Sequence, residues 1–400
     1  MNDPSCSSAR RLLILGSTGS IGVGVLDVVD HLDGSNEPGP RFEVVGLAAG
    51  SRGEELERQA FRFKVDAVAL ANPEAANRIH SDRQLHVGPD AALELVRKIA
   101  RPGDLVIAAM VGAAGIPAVL AAIEIGCDIA LANKETLVAA GSVVTRAAAR
   151  CGVSILPIDS EHAAVHQCLR TGRSPSEVSK IVLTASGGPF RTWPIERIQN
   201  ATVPEALAHP TWTMGQKVTI DSASMMNKGL ELLEAHWLFA VDADRLDAIV
   251  HPQSIVHSFV EFMDGSSIGQ LSPPDMRMPI QYAMCHPARV PGCAPHLDFG
   301  SLRELVFEPV DHERFPAVGL ALAAIQAGGT SGAILNAANE AAVEAFLDER
   351  IPFGRISSLV ESALAKIDPV TADSLETVLD ADQRARTFVL EKLRSPVAGS

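Results

Sequence analysis

At 400 residues and 47% hydrophobic content, the chain is too long for one ordinary core and can fill two or three. Its formal net charge of −14 repels nucleic acid and anionic lipid at long range, so an anionic ligand needs a local cluster of cations and N–H groups. No apolar run approaches the roughly 18 residues of a membrane span, and six cysteines without C-x-x-C spacing speak against zinc and against a disulfide framework.

The N-terminal MNDPSCSSARR carries no apolar stretch, so no secretory leader and a cytoplasmic location are expected. Arg11 to Leu15 reads as a buried parallel strand, and Gly16-Ser-Thr-Gly-Ser-Ile-Gly22 follows at once. A helix is predicted from Val23 to Leu32. Strand, glycine turn and helix in that order form the phosphate cradle of a dinucleotide fold, although the spacing here is G-x-x-G-x-x-G and a plain tight turn is the alternative. Residues 33–40 read as a loop. A second strand, Phe42 to Ala48, ends in Ala49-Gly50-Ser51-Arg52 where an acidic residue would hold a ribose hydroxyl. The hydroxyl of Ser51 and the guanidinium of Arg52 suit a 2′-phosphate, favouring NADPH over NADH, unless Arg52 is simply a surface arginine.

Alternation continues with helix 54–62, strand 66–70, helix 90–99, strand Leu105 to Ala109, helix 115–125, strand Asp128 to Ala132, helix 136–151 and strand Val153 to Ile158. This pattern predicts an N-terminal Rossmann-like, doubly wound parallel sheet, with ligands beyond the strand C-termini. LANKE (131–135) and PIDSEH (157–162) lie at two such ends. Asp159 and Glu161, two apart after an apolar strand, project to one side if the chain stays extended, and two adjacent carboxylates repel each other unless a proton or a cation intervenes. Glu231 supplies a third. Oxygen donors without cysteine point to Mg²⁺ or Mn²⁺. The alternative makes Asp159 the cap of a helix with Glu161 in its first turn. A cation beside a nicotinamide could chelate a hydroxyketone and orient its carbonyl.

Further along, Lys180 to Leu183 reads as a strand, and Ser186 with its two glycines as a turn able to face phosphate. Residues 191–208 read as connecting structure. Pro210 and Gly215 bracket a flap carrying Trp212 and Met214, Lys217 to Ile220 reads as a short strand, and Leu230 to Phe239 as a helix. Asn227, Lys228 and Glu231 share one helix edge, a suitable place for an anion with a cation nearby, or else merely a solvated amphipathic face. Ala248 to Phe262 and Ser267 to Leu271 read as antiparallel strands of a second sheet able to pair between subunits. From Glu313 the pattern is helical (315–327, 331–348, 354–367, 373–394), a domain without catalytic groups that braces the flap and the Glu231 helix.

Together these motifs resemble the 1-deoxy-D-xylulose 5-phosphate reductoisomerase family from about Arg11 to Leu393. The resemblance rests on GSTGSIG (16–22), LANKE, PIDSEH, LTASGGPF (183–190), HPTWTMG (209–215), DSASMMNKGLE (221–231), HPQSIVHS (251–258), PPDMRMPIQYA (273–283) and LNAANEAA (335–342). It implies NADPH-dependent and Mg²⁺- or Mn²⁺-dependent conversion of the ketose phosphate to 2-C-methyl-D-erythritol 4-phosphate by a homodimer. It implies metal ligation by Asp159, Glu161 and Glu231, and substrate contacts at Lys134, Ser160, Glu161, Ser186, His209, Trp212, Ser222, Asn227, Lys228 and Glu231. Lys134 and His209 join the three carboxylates as the catalytic set. Cofactor contacts fall on Thr18, Gly19, Ser20, Ile21, Gly50, Asn133, Glu135 and Gly215; Ser51 and Arg52 rest on their position after the second strand.

The expected organisation is an NADPH-binding domain (1–158), a central α/β catalytic domain (159–300) with a second sheet and the flap 206–216, a linker (301–312) and a C-terminal helical domain (313–400). A different NADP-dependent dehydrogenase acting on a metal-chelated hydroxyacid, or a dinucleotide-binding sensor without turnover, are the competing functions.

Overall fold

The computed structural model describes residues 9–394 apart from 81, 173 and 213, and apart from the side chain at 175. The first eight and last six residues of the expected outer domains, and Thr213 of the expected flap, lie outside the described residues. The chain divides into two compact units. One comprises 1–136, 144–163 and 275–296; the other comprises 137–143, 164–274 and 297–400.

The first unit is built on seven parallel strands: β1 (Arg10–Leu15), β2 (Phe42–Ala49), β3 (Ala67–Leu70), β4 (Gln84–Val87), β5 (Leu105–Ala108), β6 (Asp128–Leu131) and β7 (Ile155–Pro157). Their order is β4-β3-β2-β1-β5-β6-β7, so the winding reverses between β1 and β5. Leu12 pairs with Leu105 and Leu15 with Ala108 across that switch. Uninterrupted apolar runs on both sides fit strands covered on both faces. Leu12, Ile14, Leu47, Leu105 and Ile107 are buried with Val25, Val28, Val29 and Leu32 of the Ser20–Gly34 helix. The Arg277–Cys285 helix returns to this core through Ile280, Ala283 and Met284. Strand β4 escapes sequence reading because its burial pattern is only partial and its four residues mix polar and apolar types.

The second unit holds a mixed sheet of β8 (Val178–Ala185), β9 (Leu246–Val250), β10 (Val256–Phe262), β11 (Ser267–Leu271) and β12 (Glu308–Pro309), ordered β11-β10-β8-β9-β12. The β10–β11 hairpin is antiparallel, as its turn residues predict, while β8 and β9 run parallel. The stretch 248–262 is not one strand: His251 to Ile255 interrupts it, with Ser254 at φ +52. Four long helices, Ala317–Ala327, Ser331–Leu347, Arg355–Lys366 and Leu375–Arg394, complete the unit. The Met226–Phe239 helix packs against Ala317–Ala327. A Cβ at Gly229 would stand 3.0 Å from the Ala317 carbonyl oxygen, so the two backbones approach as closely as glycine permits. Among the described residues no helix is long and apolar enough to cross a membrane.

Lys217 to Ile220, predicted as a strand, lies instead in the Gln216–Ala223 helix. Its Val-Thr-Ile run favours a strand only weakly over so few residues. Helical spacing buries Thr219, Ile220 and Ala223 together, and Thr219 Oγ1 donates to the Gly215 carbonyl at 3.0 Å to close the first turn. The 191–208 segment contains two short helices, Ile195–Gln199 and Val203–Leu207.

Candidate active site

In the first unit, the glycine turn follows β1 at the switch point. Gly16 has φ +93, and a Cβ there would sit 2.3 Å from the Ala109 carbonyl oxygen. The Gly16 and Ser17 N–H groups both donate to Ala48 O at 2.9 Å, which ties the turn to the end of β2. Gly22 is a packing glycine, since its Cβ would fall 2.4 Å from Gly16 O. Gly19 is the N-cap of the Ser20–Gly34 helix and uses no side-chain cap. The N–H groups of Ser20 and Ile21 therefore belong to a first turn without intrahelical acceptors, the positive end of the helix.

Beyond β2, nothing among the described residues lies within 4 Å of a Cβ built on Gly50. Next to it opens a groove of about 700 Å³ lined by Thr18, Ser51, Arg52, Arg58, Asn72 and Arg78, among others. Arg58 pairs with Glu55 and Arg78 with Glu54. Arg52 has no carboxylate partner among the described residues.

At the ends of β5 and β6, Asn133 caps the Lys134–Cys151 helix. Its Oδ1 accepts from the N–H of Thr136 at 3.0 Å and from the Thr136 hydroxyl. Its Nδ2 faces the Met110 and Gly112 carbonyls and Glu135 Oε2, at 2.5, 3.1 and 2.8 Å. The side chains of Asn133 and Glu135, buried to 3% and 5% exposure, thus clamp the loop after β5. Lys134 Nζ pairs with Asp159 Oδ2. Asp159 does not extend β7: its carbonyl accepts from Ala163 N at 2.8 Å, placing it at the start of the Ser160–Leu169 helix. Glu161 lies in the first turn, where Ser160 Oγ donates to it. The capped-helix arrangement therefore holds rather than the extended one, and one oxygen of each carboxylate still lies within 4.8 Å of the other.

In the second unit, β8 ends in the Ser186-Gly187-Gly188 turn. Gly188 has φ +63, and a Cβ on it would meet the Ser222 carbonyl oxygen at 2.5 Å, so this turn is seated directly on the Gln216–Ala223 helix. His209 Nδ1 accepts from the backbone N–H groups of Thr211 at 3.1 Å and Trp212 at 2.9 Å. Backbone N–H groups can only donate, so the ring proton sits on Nε2. Nε2–H then donates to Ser186 Oγ at 3.1 Å. Burial holds the His209 imidazole below its ordinary pKa, in keeping with a neutral ring. Gly188 N–H also donates to Ser186 Oγ, at 3.2 Å. A serine hydroxyl has two acceptor lone pairs and one proton. Both lone pairs are filled here, and the proton finds no acceptor among the described residues.

The neighbouring helices add charge. Asp221, 1% exposed, accepts from Lys217 Nζ at 2.9 Å and from Asn339 Nδ2 at 2.8 Å. On the Met226–Phe239 helix, Asn227 Nδ2 and Lys228 Nζ donate to the two oxygens of Glu231. Lys228 is 3% and Glu231 1% exposed, so this edge is no solvated face. Asn227 Oδ1 is buried without a hydrogen-bond partner among the described residues. Asn339 lies within LNAANEAA, in helices expected to carry no site groups; a buried asparagine in an alanine-rich run was the available signal. Its partner Asp221 heads DSASMMNKGLE, but only its burial shows that it ties the Gln216–Ala223 helix to the Ser331–Leu347 helix.

Three family models match the chain: 1-deoxy-D-xylulose 5-phosphate reductoisomerase over residues 12–141, its C-terminal domain over 155–239, and the DXP reductoisomerase C-terminal domain over 271–388. A 1-deoxy-D-xylulose 5-phosphate reductoisomerase of Symbiobacterium thermophilum is 50% identical over 390 residues, spanning 96% of this chain and 98% of the relative. That of Rhodococcus jostii is 50% identical, covering 96% and 95%. Among solved structures, a DOX-P reductoisomerase in complex with NADPH, fosmidomycin and magnesium superposes with a TM-score of 0.90 at 37% identity, over 98% of this chain and all (100%) of that one. The Zymomonas mobilis enzyme in complex with NADPH gives 0.87 at 40% identity, over 97% and 100%.

Proposed function

This chain belongs to the 1-deoxy-D-xylulose 5-phosphate reductoisomerase family, and from that premise we propose that it rearranges and reduces 1-deoxy-D-xylulose 5-phosphate to 2-C-methyl-D-erythritol 4-phosphate with NADPH and Mg²⁺ or Mn²⁺. The observation that carries the reading is the Ser186 hydroxyl, whose lone pairs are both filled by the protein's own donors and whose proton is left for an incoming oxygen. A phosphate oxygen is the acceptor that such a donor suits best. Ser222, Asn227 and Lys228 complete the phosphate side in this proposal. Trp212 closes over the substrate from the flap, and Lys134 and Ser160 act with His209 on the reacting end.

The donor set fits a hard divalent ion. Asp159, Glu161 and Glu231 offer only oxygens, and we assign all three to one cation. That ion would polarise the substrate carbonyl and its adjacent hydroxyl as a Lewis acid, beside the hydride that NADPH carries. For NADPH, the open face at Gly50 and the groove at Thr18, Ser51 and Arg52 suit the 2′-phosphate end. The Gly19–Ser20–Ile21 helix start suits the pyrophosphate. Asn133 and Glu135, whose side chains are engaged in the clamp, and Gly215 line the nicotinamide side.

We read residues 1–158 as the NADPH domain, 159–300 as the catalytic domain with flap 206–216, 301–312 as the linker and 313–400 as the helical domain. We also read the working form as a cytoplasmic homodimer. Strand β11 at the edge of the second sheet supports pairing with a second copy, and light scattering of the purified protein tests it. The decisive assay is NADPH oxidation on the ketose phosphate with and without EDTA, with the product examined by NMR. A metal-dependent branched product supports the proposal. An unrearranged skeleton would indicate a hydroxyacid dehydrogenase, and no oxidation a sensor.

A further inference from the structure

We propose that Gln59 is a positioning residue for the dinucleotide. Its amide ties the helix beside the 2′-phosphate groove to the glycine turn that receives the pyrophosphate, and so sets the spacing between the two ends of that site. This rests on the reading of the chain as an NADPH enzyme, and it concerns a residue that does not itself line the groove.

Along the Gly53–Arg62 helix the buried residues are Gly53, Leu56, Gln59 and Ala60. Gln59 is the polar member of that face and is only 6% exposed. Its Nε2 donates to the Ser17 carbonyl at 3.0 Å. A carbonyl can only accept, so the amide cannot be turned the other way round. Oε1, at the other corner of the amide, is buried without a hydrogen-bond partner among the described residues. A buried acceptor left alone destabilises a fold, and a methionine of similar reach would carry no such atom. Packing alone therefore does not call for glutamine here; the bond to Ser17 does.

Ser17 is the middle of the cradle. Its N–H donates to Ala48 O at 2.9 Å, and a Cβ on Gly22 would stand 2.5 Å from both its Cα and its carbonyl oxygen. The turn and the start of the Ser20–Gly34 helix are thus packed as one piece. The helix of Gln59 serves the other end: Arg52 is its N-cap residue, and Glu54, Glu55 and Arg58 line the groove. Its first residue is held as well, since a Cβ on Gly53 would lie 2.5 Å from the Ala75 carbonyl oxygen. Gly53 fixes where this helix begins, and Gln59 fixes its body against the cradle. NADPH joins its pyrophosphate and its 2′-phosphate by one covalent skeleton, so both anionic ends bind together only while the two pieces keep their register.

Calorimetric titration with three ligands reads that register. NADPH spans both ends, 2′-AMP carries only the 2′-phosphate, and ADP only the diphosphate. Gln59→Met keeps the length of the side chain but has no N–H. It should weaken NADPH about tenfold, the scale of one lost hydrogen bond, while 2′-AMP and ADP stay within about twofold of wild type. Gln59→Asn leaves the amide one methylene short of Ser17 and should give the same pattern, which keeps the comparison open if the methionine variant does not fold. Equal weakening of all three ligands would show a general loss of structure, and unchanged NADPH affinity would show no positioning; either result overturns the proposal. The wild-type protein separates the two levels of the argument. If it binds none of the three ligands, the NADPH reading fails and the proposal with it; if it binds all three and the variants lose them alike, only the proposal fails.

Discussion

Gly188→Ala concentrates several features of the site into one methyl group. The residue sits at φ +63, where a Cβ costs about 1–2 kcal/mol. The larger effect is steric. The new Cβ would lie 2.5 Å from Ser222 O, where ordinary contact begins at 3.4 Å, so something must give by 3.4 − 2.5 = 0.9 Å. The Cβ position is fixed by the backbone of the Ser186 turn and the oxygen belongs to the backbone of the Gln216–Ala223 helix, so neither can rotate away. A displacement of that size at a substrate-positioning element lowers kcat/KM on the order of a hundredfold. Gly187→Ala is the internal comparison. It carries a similar conformational cost at φ +83, but its Cβ meets chiefly the Arg191 side chain at 2.7 Å, which can move. Thermal melts should show the larger loss for Gly188→Ala, and steady-state kinetics on the ketose phosphate, run well below both melting points, separate the two in turnover. A Gly188→Ala enzyme within about threefold of the Gly187→Ala enzyme in kcat/KM would refute the seating of the turn on Ser222 as a functional contact.

Glu231→Gln keeps the shape but removes the charge that faces Lys228 at 3% exposure. Turnover should fall on the order of a thousandfold or more while NADPH affinity, read by fluorescence titration, stays nearly unchanged; retained turnover would remove Glu231 from the metal set. Arg52→Ala should raise KM for NADPH about tenfold and leave NADH nearly unaffected, and equal effects on both cofactors would place the 2′-phosphate elsewhere. Glu57 is held below the usual carboxylate range mainly by hydrogen bonds from Arg83, both residues being nearly buried. A depressed folded value means stability that is present above the unfolded pKa and lost as pH falls through the folded one. Arg83→Met should therefore flatten the acid limb of a stability–pH profile below about pH 4.5, as followed by denaturant melts; an unchanged limb would show that the pair is not linked to folding.

The parallel sheet was legible because its strands are continuous apolar runs between helical stretches, and the order of strand, glycine turn and helix is a local signal. Strand β4 lacked such a run. The Gln216–Ala223 helix was misread because Val218, Thr219 and Ile220 favour a strand locally, whereas burial of Thr219, Ile220 and Ala223 on one side decides for helix. Asp159 and Glu161 followed the same logic: composition brings two carboxylates together, but only the Ala163 N–H bond to Asp159 O reveals that a helix start presents them. The Asn227–Lys228–Glu231 edge was readable from spacing alone. Its burial was not, since three polar residues along one helix edge resemble a solvated face until the packing is seen. The His209 tautomer lies beyond any sequence pattern, because it depends on where two amides point.

The contacts of Asn339 with Asp221 and of Ala317 with Gly229 have a consequence for shortened versions of this polypeptide. A product ending before Ala317 would uncover an otherwise dry helix surface, and Asp221 would keep Lys217 while losing its amide support. Such a fragment would be a sticky folding intermediate destined for proteolysis rather than a slower catalyst, so a deletion series from the C-terminus should show an abrupt collapse of yield instead of a graded decline.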